Sequence, residues 1–392
     1  MNTSAWLNRP PYPTRALALL GNAADINAWS NIPYYLFQAA EPKGVLTHAL
    51  DLVDPSYFRH RAVWNALSLL RGERPGFYQY SRVNIRRMWE RIPAPLREGE
   101  ILSHFQVFPP LDLALESGAR HSFYCDATLR QLSPGGPNET FGGRRTYADA
   151  LAREKDLYQA ARFFISMARE TSRVAMAEYG VPAEKVHTVR PGANLDEATV
   201  RRYIQQRGTS WREIHPEFEA SKPATLGFIG RGWQRKGLMR IVGAAQILKA
   251  RGKHVRVSII GDCPEHLIGL PLIEYHGRIS KATDLCRFLE IMDTFAMGCL
   301  PSYSEPLGIG TLECLRMGIP VMGTRVGGIP DCVPPDGGFL VDPDATDEAI
   351  ADAFEQNLFD PKRYQTLVQG AHAQMELVTW ERTATQLAQI FK

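Results

Sequence analysis

The sequence predicts an α/β protein of two doubly wound parallel sheets, one in each half of the chain. Three observations point there. Short, continuous apolar runs recur with turn residues at their ends, the pattern of strands buried on both faces. Helical apolar patterns stand between the runs, so the strands are joined by crossovers and lie parallel. A length of 392 residues suffices for two domains of ordinary size.

In the first half the strand candidates are residues 16–20, 45–48, 101–105, 121–124, 162–166 and 186–189. A loop at 21–25 leaves the first of them, and residues 28–35 begin a helix. In the second half the strands fall at 225–229, 255–260, 273–277, 296–300, 320–323 and 339–341, with helices at 238–249 and 285–291. The polar stretch 205–223 reads as a linker. The assignment is therefore a first domain over 1–205, a second over 206–370, and a final helix over 371–392. No solenoid repeat and no low-complexity tract occurs.

Composition narrows the class. A hydrophobic content of 44% places the chain among soluble globular proteins rather than disordered ones. No apolar run reaches the length of a membrane span, and no signal peptide is expected. The six cysteines, at 125, 263, 286, 299, 314 and 332, form no C-x-x-C pair, so reduced thiols in a cytoplasm are expected. No His/Cys cluster has metal-ligand spacing. Net charge is +3, but residues 1–190 hold 23 Lys+Arg against 18 Asp+Glu. Arg82, Arg86, Arg87, Arg91 and Arg97 cluster around Trp89. They form either a solvated helix face or a basic face that docks on anionic lipid or a lipid-diphosphate acceptor. No recognition motif accompanies them, so no nucleic-acid partner is expected.

The chemistry concentrates at Ser304-Glu305-Pro306-Leu307-Gly308-Ile309-Gly310-Thr311-Leu312-Glu313. A strand precedes this stretch and a helix follows, which puts Glu305 in the loop and Glu313 within the helix. The unpartnered N–H groups of such a helix tip attract anions. Gly308 and Gly310 have no Cβ, so a ligand can approach the backbone. Carboxylates on either side suit a ligand with both phosphate and vicinal hydroxyls, as in a nucleotide sugar. The loop after the 225–229 strand carries Gly230, Arg231 and Lys236, a fork and a point charge for phosphate. Ligands of such sheets bind beyond the carboxyl ends of the strands, so the two loops should meet at one crevice.

Three weaker signals are set aside. Gly308-x-Gly310-x-x-Glu313 lacks the third glycine of a dinucleotide fingerprint. Asp342-Pro343-Asp344 formally matches a metal–nucleotide motif but sits where a helix cap belongs. Gly-x-Ser-x-Gly is absent, which argues against an α/β-hydrolase.

The stretch from Glu305 to Glu313 resembles the Glu-x7-Glu motif of retaining family 4 glycosyltransferases, which have the GT-B fold. The likeness covers most of residues 224–392. Gly230-Arg231-Gly232-Trp233-Gln234-Arg235-Lys236-Gly237 is similar to the family's Gly-Arg-x5-Lys-Gly. Gly261-Asp262-Cys263-Pro264 is similar to its Gly-Asp-Gly-Pro turn, with Cys263 in place of glycine. Pro301-Ser302, Gly318-Ile319-Pro320-Val321, Val326-Gly327-Gly328-Ile329-Pro330 and Trp380-Glu381 follow in the family's order. In the first half, Trp29-Ser30-Asn31-Ile32-Pro33-Tyr34 resembles a Trp-Ser-Gly-x-Pro-Tyr stretch of some members.

The resemblance implies two Rossmann-like domains facing a central cleft, with the last helix crossing back to the first domain. It implies a metal-independent, retaining hexosyl transfer from a nucleoside-diphosphate sugar to a glycan, a lipid-linked or a small-molecule acceptor. No further cofactor is expected. The setting would be cytoplasmic, with peripheral contact at the inner membrane face open. Arg231 and Lys236 would stabilise the leaving diphosphate, Glu305 the sugar hydroxyls and Glu313 the ribose. Gly230, Leu307, Gly308, Ile309 and Gly310 would line the donor. Arg235 is expected to point to solvent. A covalent role for Glu305, as in retaining glycosidases, is the alternative, and a helix cap is the structural one. For Glu313 the structural alternative is a helix-surface ion pair. The first domain would hold the acceptor. Asp126 stands where many relatives carry a histidine facing the sugar, or it caps a loop. Asn22 and Ser30, near the end of the first strand, would touch donor phosphate or acceptor. His104 ends another strand, where a structural role is the alternative. Rival readings are a GT-B epimerase or phosphorylase, and a non-catalytic protein that binds sugar nucleotide.

Overall fold

The computed structural model describes residues 14–104, 118–132, 144–214 and 217–392. The chain forms two compact units, Met1–Val189 with Thr383–Lys392, and Arg190–Arg382.

The first unit is built on six parallel strands: β1 (Arg15–Leu19), β2 (His48–Asp51), β3 (Glu100–His104), β4 (Arg120–Cys125), β5 (Phe163–Ser166) and β6 (Val186–Thr188). Their order in the sheet is β2-β1-β3-β4-β5-β6. β1 and β3 are buried along their whole length, as inner strands of a parallel sheet are, polar Glu100, Ser103 and His104 included. The expected 45–48 strand pairs later, from His48 opposite Ala16. Val45 and Leu46 are buried all the same, because apolarity marks burial and not pairing. Phe105, expected at the end of β3, lies outside the described residues. The charged residues that flank the sheet satisfy one another: buried Glu100 accepts from Arg15 and Arg162, each at 3.0 Å. Phe391, near the chain end, lies under the Arg15 guanidinium at 4.0 Å and edge-on to Phe163.

The second unit has β7 (Ala224–Gly230), β8 (Val255–Gly261), β9 (Ile273–Tyr275), β10 (Met297–Leu300), β11 (Val321–Thr324) and β12 (Gly338–Val341). All are parallel, in the order β12-β11-β10-β7-β8-β9. The longest ladder runs from Ala224 opposite Val255 to Gly230 opposite Gly261. Leu226 and Phe228 of β7 and Val257 and Ile259 of β8 are wholly buried, under Ile241 and Leu248 of the Leu238–Ala250 helix. Because the strands run the same way, the loops after β7, β8, β9 and β10 emerge on one edge of the sheet.

Two expectations about the chain's division change. Residues 190–205 belong to the second unit. There the Trp380 indole N–H donates to Asn194 Oδ1 at 3.0 Å, and Glu197 accepts from buried Arg316. The stretch 205–223 is no simple linker. It forms a helical turn, Trp211–Ile214, whose Arg212 is completely buried. Arg212 donates to the carbonyls of Met292, Asp293 and Phe295, and the Trp211 indole N–H donates to Asp293 O at 2.7 Å. A polar composition suggested a linker, but a helix C-terminus offers unpartnered carbonyls that a guanidinium can satisfy.

Candidate functional site

β7 ends at Gly230, and the chain turns through residues 231–236 into the Leu238–Ala250 helix. Gly237 caps that helix at φ +74°, and a Cβ there would lie 2.1 Å from the Pro301 carbonyl oxygen. Only glycine lets the loop press this closely on the end of β10. Lys236 folds back over Gly230, where a Cβ would meet Lys236 Cδ at 2.5 Å. The Lys236 ammonium is thereby steered to Glu305, donating to Oε2 at 3.0 Å. Arg235 donates to the same oxygen at 2.9 Å and to the Ser304 carbonyl. The expectation that Arg235 points to solvent is corrected: it is partly exposed, but a carboxylate and a loop carbonyl both lie within its reach. Glu305 is not a helix cap; its side chain is an ion-pair acceptor.

The backbone around Glu305 is held from the next loop. Gly327, at φ +51°, sits so close that a Cβ would be 1.9 Å from the Glu305 carbonyl oxygen. The Gly328 N–H donates to Pro306 O at 2.9 Å. This gives the Val326–Pro330 motif a mechanical role. Leu307 and Gly308 are buried, and Ile309 and Gly310 are half-buried. Gly308, at φ +96°, caps the Ile309–Arg316 helix. A Cβ at Gly310 would find only Ile229 within 4 Å, so its backbone is open to approach. The helix tip, Lys236 and Glu305 therefore gather at the carboxyl ends of β7 and β10.

Glu313 is buried on the same helix and accepts from Lys281 Nζ at 2.5 Å. Lys281 comes from the loop after β9 and was not singled out from the sequence. The signal was there: the loop from His276 to Asp284 leaves a strand's carboxyl end and carries two cations, Arg278 and Lys281. Asp262, after β8, accepts from Arg278 Nε at 2.6 Å and from the Gly232 N–H at 3.1 Å. The Arg278 hydrogen bond, then the Gly232 N–H, hold its carboxyl below the usual range, with a further contribution from Arg231. Exposed Arg231 is thus tethered beside β8 through its neighbour Gly232. Arg235 and Lys236 meet Glu305 beside the helix tip, Lys281 meets Glu313 further along the same helix, and Arg231 lies in the loop that leads to Lys236. Such a set can hold a diphosphate and accept hydrogen bonds from sugar hydroxyls.

The other residues singled out from the sequence lie in the first unit. Asn22 follows β1 and is exposed; its Oδ1 accepts from Ala24 N at 2.8 Å, which shapes a turn. Ser30, also exposed, is one of three consecutive left-handed residues, Trp29, Ser30 and Asn31. Trp29 lies edge-on to His104 with ring centres 6.4 Å apart, so this loop overlies the end of β3. His104 is buried, and burial lowers its pKa to about 4. Asp126 directly follows β4, half-buried, and its backbone carbonyl accepts from Thr171 Oγ1 at 2.7 Å.

A family model described as "Glycosyl transferases group 1" matches residues 223–360, which contain every second-unit residue named here as a donor-site candidate. The D-inositol 3-phosphate glycosyltransferase of Kribbella flavida is 27% identical over 258 residues, 60% of this chain and 57% of that protein. A sulfoquinovosyl transferase of Arabidopsis thaliana is 30% identical over 203 residues, 47% of this chain and 38% of that protein. The chain spans about half the length of the curated relatives it matches. Among solved structures, a sucrose-phosphate synthase from Thermosynechococcus elongatus superposes with a TM-score of 0.64 and 18% identity, over 97% of this chain and 98% of that one. HepE of Anabaena, solved with UDP-glucose, gives 0.59 and 16%, over 97% and 99%. At such identities the likeness is one of fold, and the fold is GT-B.

Proposed function

We propose, for a chain of the GT-B fold whose residues 223–360 belong to glycosyl transferases group 1, a retaining, metal-independent glycosyl transfer. A hexosyl group passes from a nucleoside-diphosphate sugar to a hydroxyl of a glycan, a lipid-linked or a small-molecule acceptor. The observation that carries this reading is the Lys236–Glu305 pair at the Gly308–Gly310 helix tip. Together they supply positive charge and open backbone for a diphosphate, with a carboxylate beside it.

The chemistry follows from charge. As the bond from the anomeric carbon to the phosphate oxygen breaks, negative charge builds on the leaving diphosphate. Lys236 and Arg231 receive it, and a donor of this kind is worth about 3 to 4 kcal/mol at the transition state. Arriving phosphate competes with Glu305 for the Lys236 ammonium and releases the carboxylate to the sugar hydroxyls. Glu313, oriented by Lys281, accepts from the ribose hydroxyls. The acceptor oxygen attacks the face the phosphate leaves, and a phosphate oxygen takes its proton. Asp126, Asn22 and Ser30 are assigned to the acceptor and sugar side. Six free thiols fit a cytoplasmic setting.

A thermal-shift screen with UDP, GDP, ADP and dTDP sugars tests the donor, because specific binding stabilises the native state. UDP-glucose comes first, being the ligand of the Anabaena neighbour. Glycoside formation from the donor so found then tests transfer, and an epimerase would form none. Lys236→Ala should lower turnover roughly 10²- to 10³-fold, and Glu313→Ala should raise the donor KM. Wild-type kinetics in both variants would overturn the assignments.

A further inference from the structure

The Tyr57–Leu70 helix of the first unit exposes several large apolar side chains to solvent. Its Tyr57, Trp64 and Ser68 share one side. Ser68 is buried, the Trp64 indole N–H donates to Gly76 O at 2.7 Å, and the Tyr57 ring packs tilted against Tyr78 with centres 5.3 Å apart. That side anchors the helix. The opposite half-turn carries Phe58, Val63, Leu67, Leu69 and Leu70, with Phe58 71% and Leu70 84% exposed. Five large apolar side chains exposed on one helix are unusual for a surface that meets only water.

Charge identifies what covers it. Residues 57–91 hold eight arginines against two glutamates, a net of +6. Arg59, Arg61, Arg71, Arg74, Arg82 and Arg86 are exposed. The basic cluster around Trp89 is only in part a surface for partners. Arg87 bonds His60 at 2.7 Å and pairs with Asp54, and Arg97 donates to Ile92 O at 2.7 Å and stands over the Trp89 ring. Arg82 and Arg86 remain for the rim, beside exposed Val83.

We propose that the Tyr57–Leu70 helix seats this protein on an anionic phospholipid surface. It lies in the interface plane, with its leucines at the boundary of head groups and acyl chains and its arginines at the phosphates. A second copy is the less suitable occupant, because a two-fold contact would set this excess of positive charge against itself. Among the described residues no helix is long and apolar enough to cross a membrane, so the contact is peripheral.

Co-sedimentation of the full chain with vesicles tests this without reference to glycosyl transfer. Phosphatidylcholine vesicles should leave the protein in the supernatant, and vesicles containing phosphatidylglycerol should pellet it, less so at high salt. Leu67→Glu with Leu70→Glu should lower the partition coefficient tenfold or more. Arg71→Gln with Arg74→Gln should lower it about fivefold per charge removed. Thermal unfolding confirms that each variant is folded, since all four positions are exposed. The proposal is overturned if wild-type protein ignores anionic vesicles, or if the leucine pair binds as wild type does. It is equally overturned if light scattering shows a dimer that the leucine substitutions dissolve.

Discussion

Replacing Lys281 with methionine should destabilise the second unit because of what it leaves behind. Lys281 Nζ stands 2.5 Å from Glu313 Oε1, with side chains 16% and 3% exposed. Methionine keeps most of the packing and removes the charge. A fully buried pair that loses one partner typically costs about 3 to 5 kcal/mol, because the remaining charge is stranded. Lys281 lies nearer to water than Glu313, so its removal lets solvent reach part of the carboxylate. The expected cost is therefore lower, about 2 to 3 kcal/mol. Glu313→Gln should cost less than about 1 kcal/mol, because the lysine it frees can turn to solvent. The assay is amide exchange of the Ile309–Arg316 helix under increasing urea, which reads this unit without assuming one transition for the whole chain. The double variant completes a thermodynamic cycle, with an expected coupling of at least about 1 kcal/mol. A coupling near zero, or a Lys281→Met cost below about 0.5 kcal/mol, would refute the claim that Lys281 holds Glu313 in place. Donor titration of Lys281→Met should then show a KM effect in the same direction as Glu313→Ala.

Other outcomes follow from the same geometry. Gly237→Ala combines a left-handed backbone with a Cβ 2.1 Å from the Pro301 carbonyl. It should cost about 2 to 4 kcal/mol and weaken nucleotide binding by lifting the Lys236 loop from β10, both measurable by thermal shift. Glu154 is buried in the first unit, and burial raises its carboxyl to about 7 although Tyr179, Tyr158 and the Leu129 N–H donate to it. A native pKa above the unfolded one means that its contribution is most favourable below the unfolded value of 4.5 and is lost as pH rises to about 7. Glu154→Gln should flatten that slope, by at most about 3 kcal/mol. His104 and His121, lowered by burial to about 4 and about 3, act in the opposite sense, losing stability as pH falls below 6.5. The variant is therefore compared with wild type at each pH.

The strands were legible because a continuous apolar run in a parallel sheet is buried whichever neighbours it finds. All six strands of the second sheet were anticipated within a few residues. Glycines at 237, 308 and 327 and the spacing from Glu305 to Glu313 were equally local, since a left-handed turn or a helix repeat is written in adjacent residues. What escaped was pairing between distant segments. Lys281 meets Glu313 across 32 residues because the strand order β10-β7-β8-β9 brings their loops to one edge. No periodicity encodes that order. Arg212 became a core residue, and Arg235 turned to Glu305, because partners were waiting for a guanidinium that could equally have been solvated. Leu67 and Leu70 stand in water, because apolarity alone does not say what a helix surface meets. Local chemistry, then, decided the elements and the acid–base inventory. The choice of partner for each charge and each apolar face was made by tertiary structure, since desolvation and ion pairing act through space.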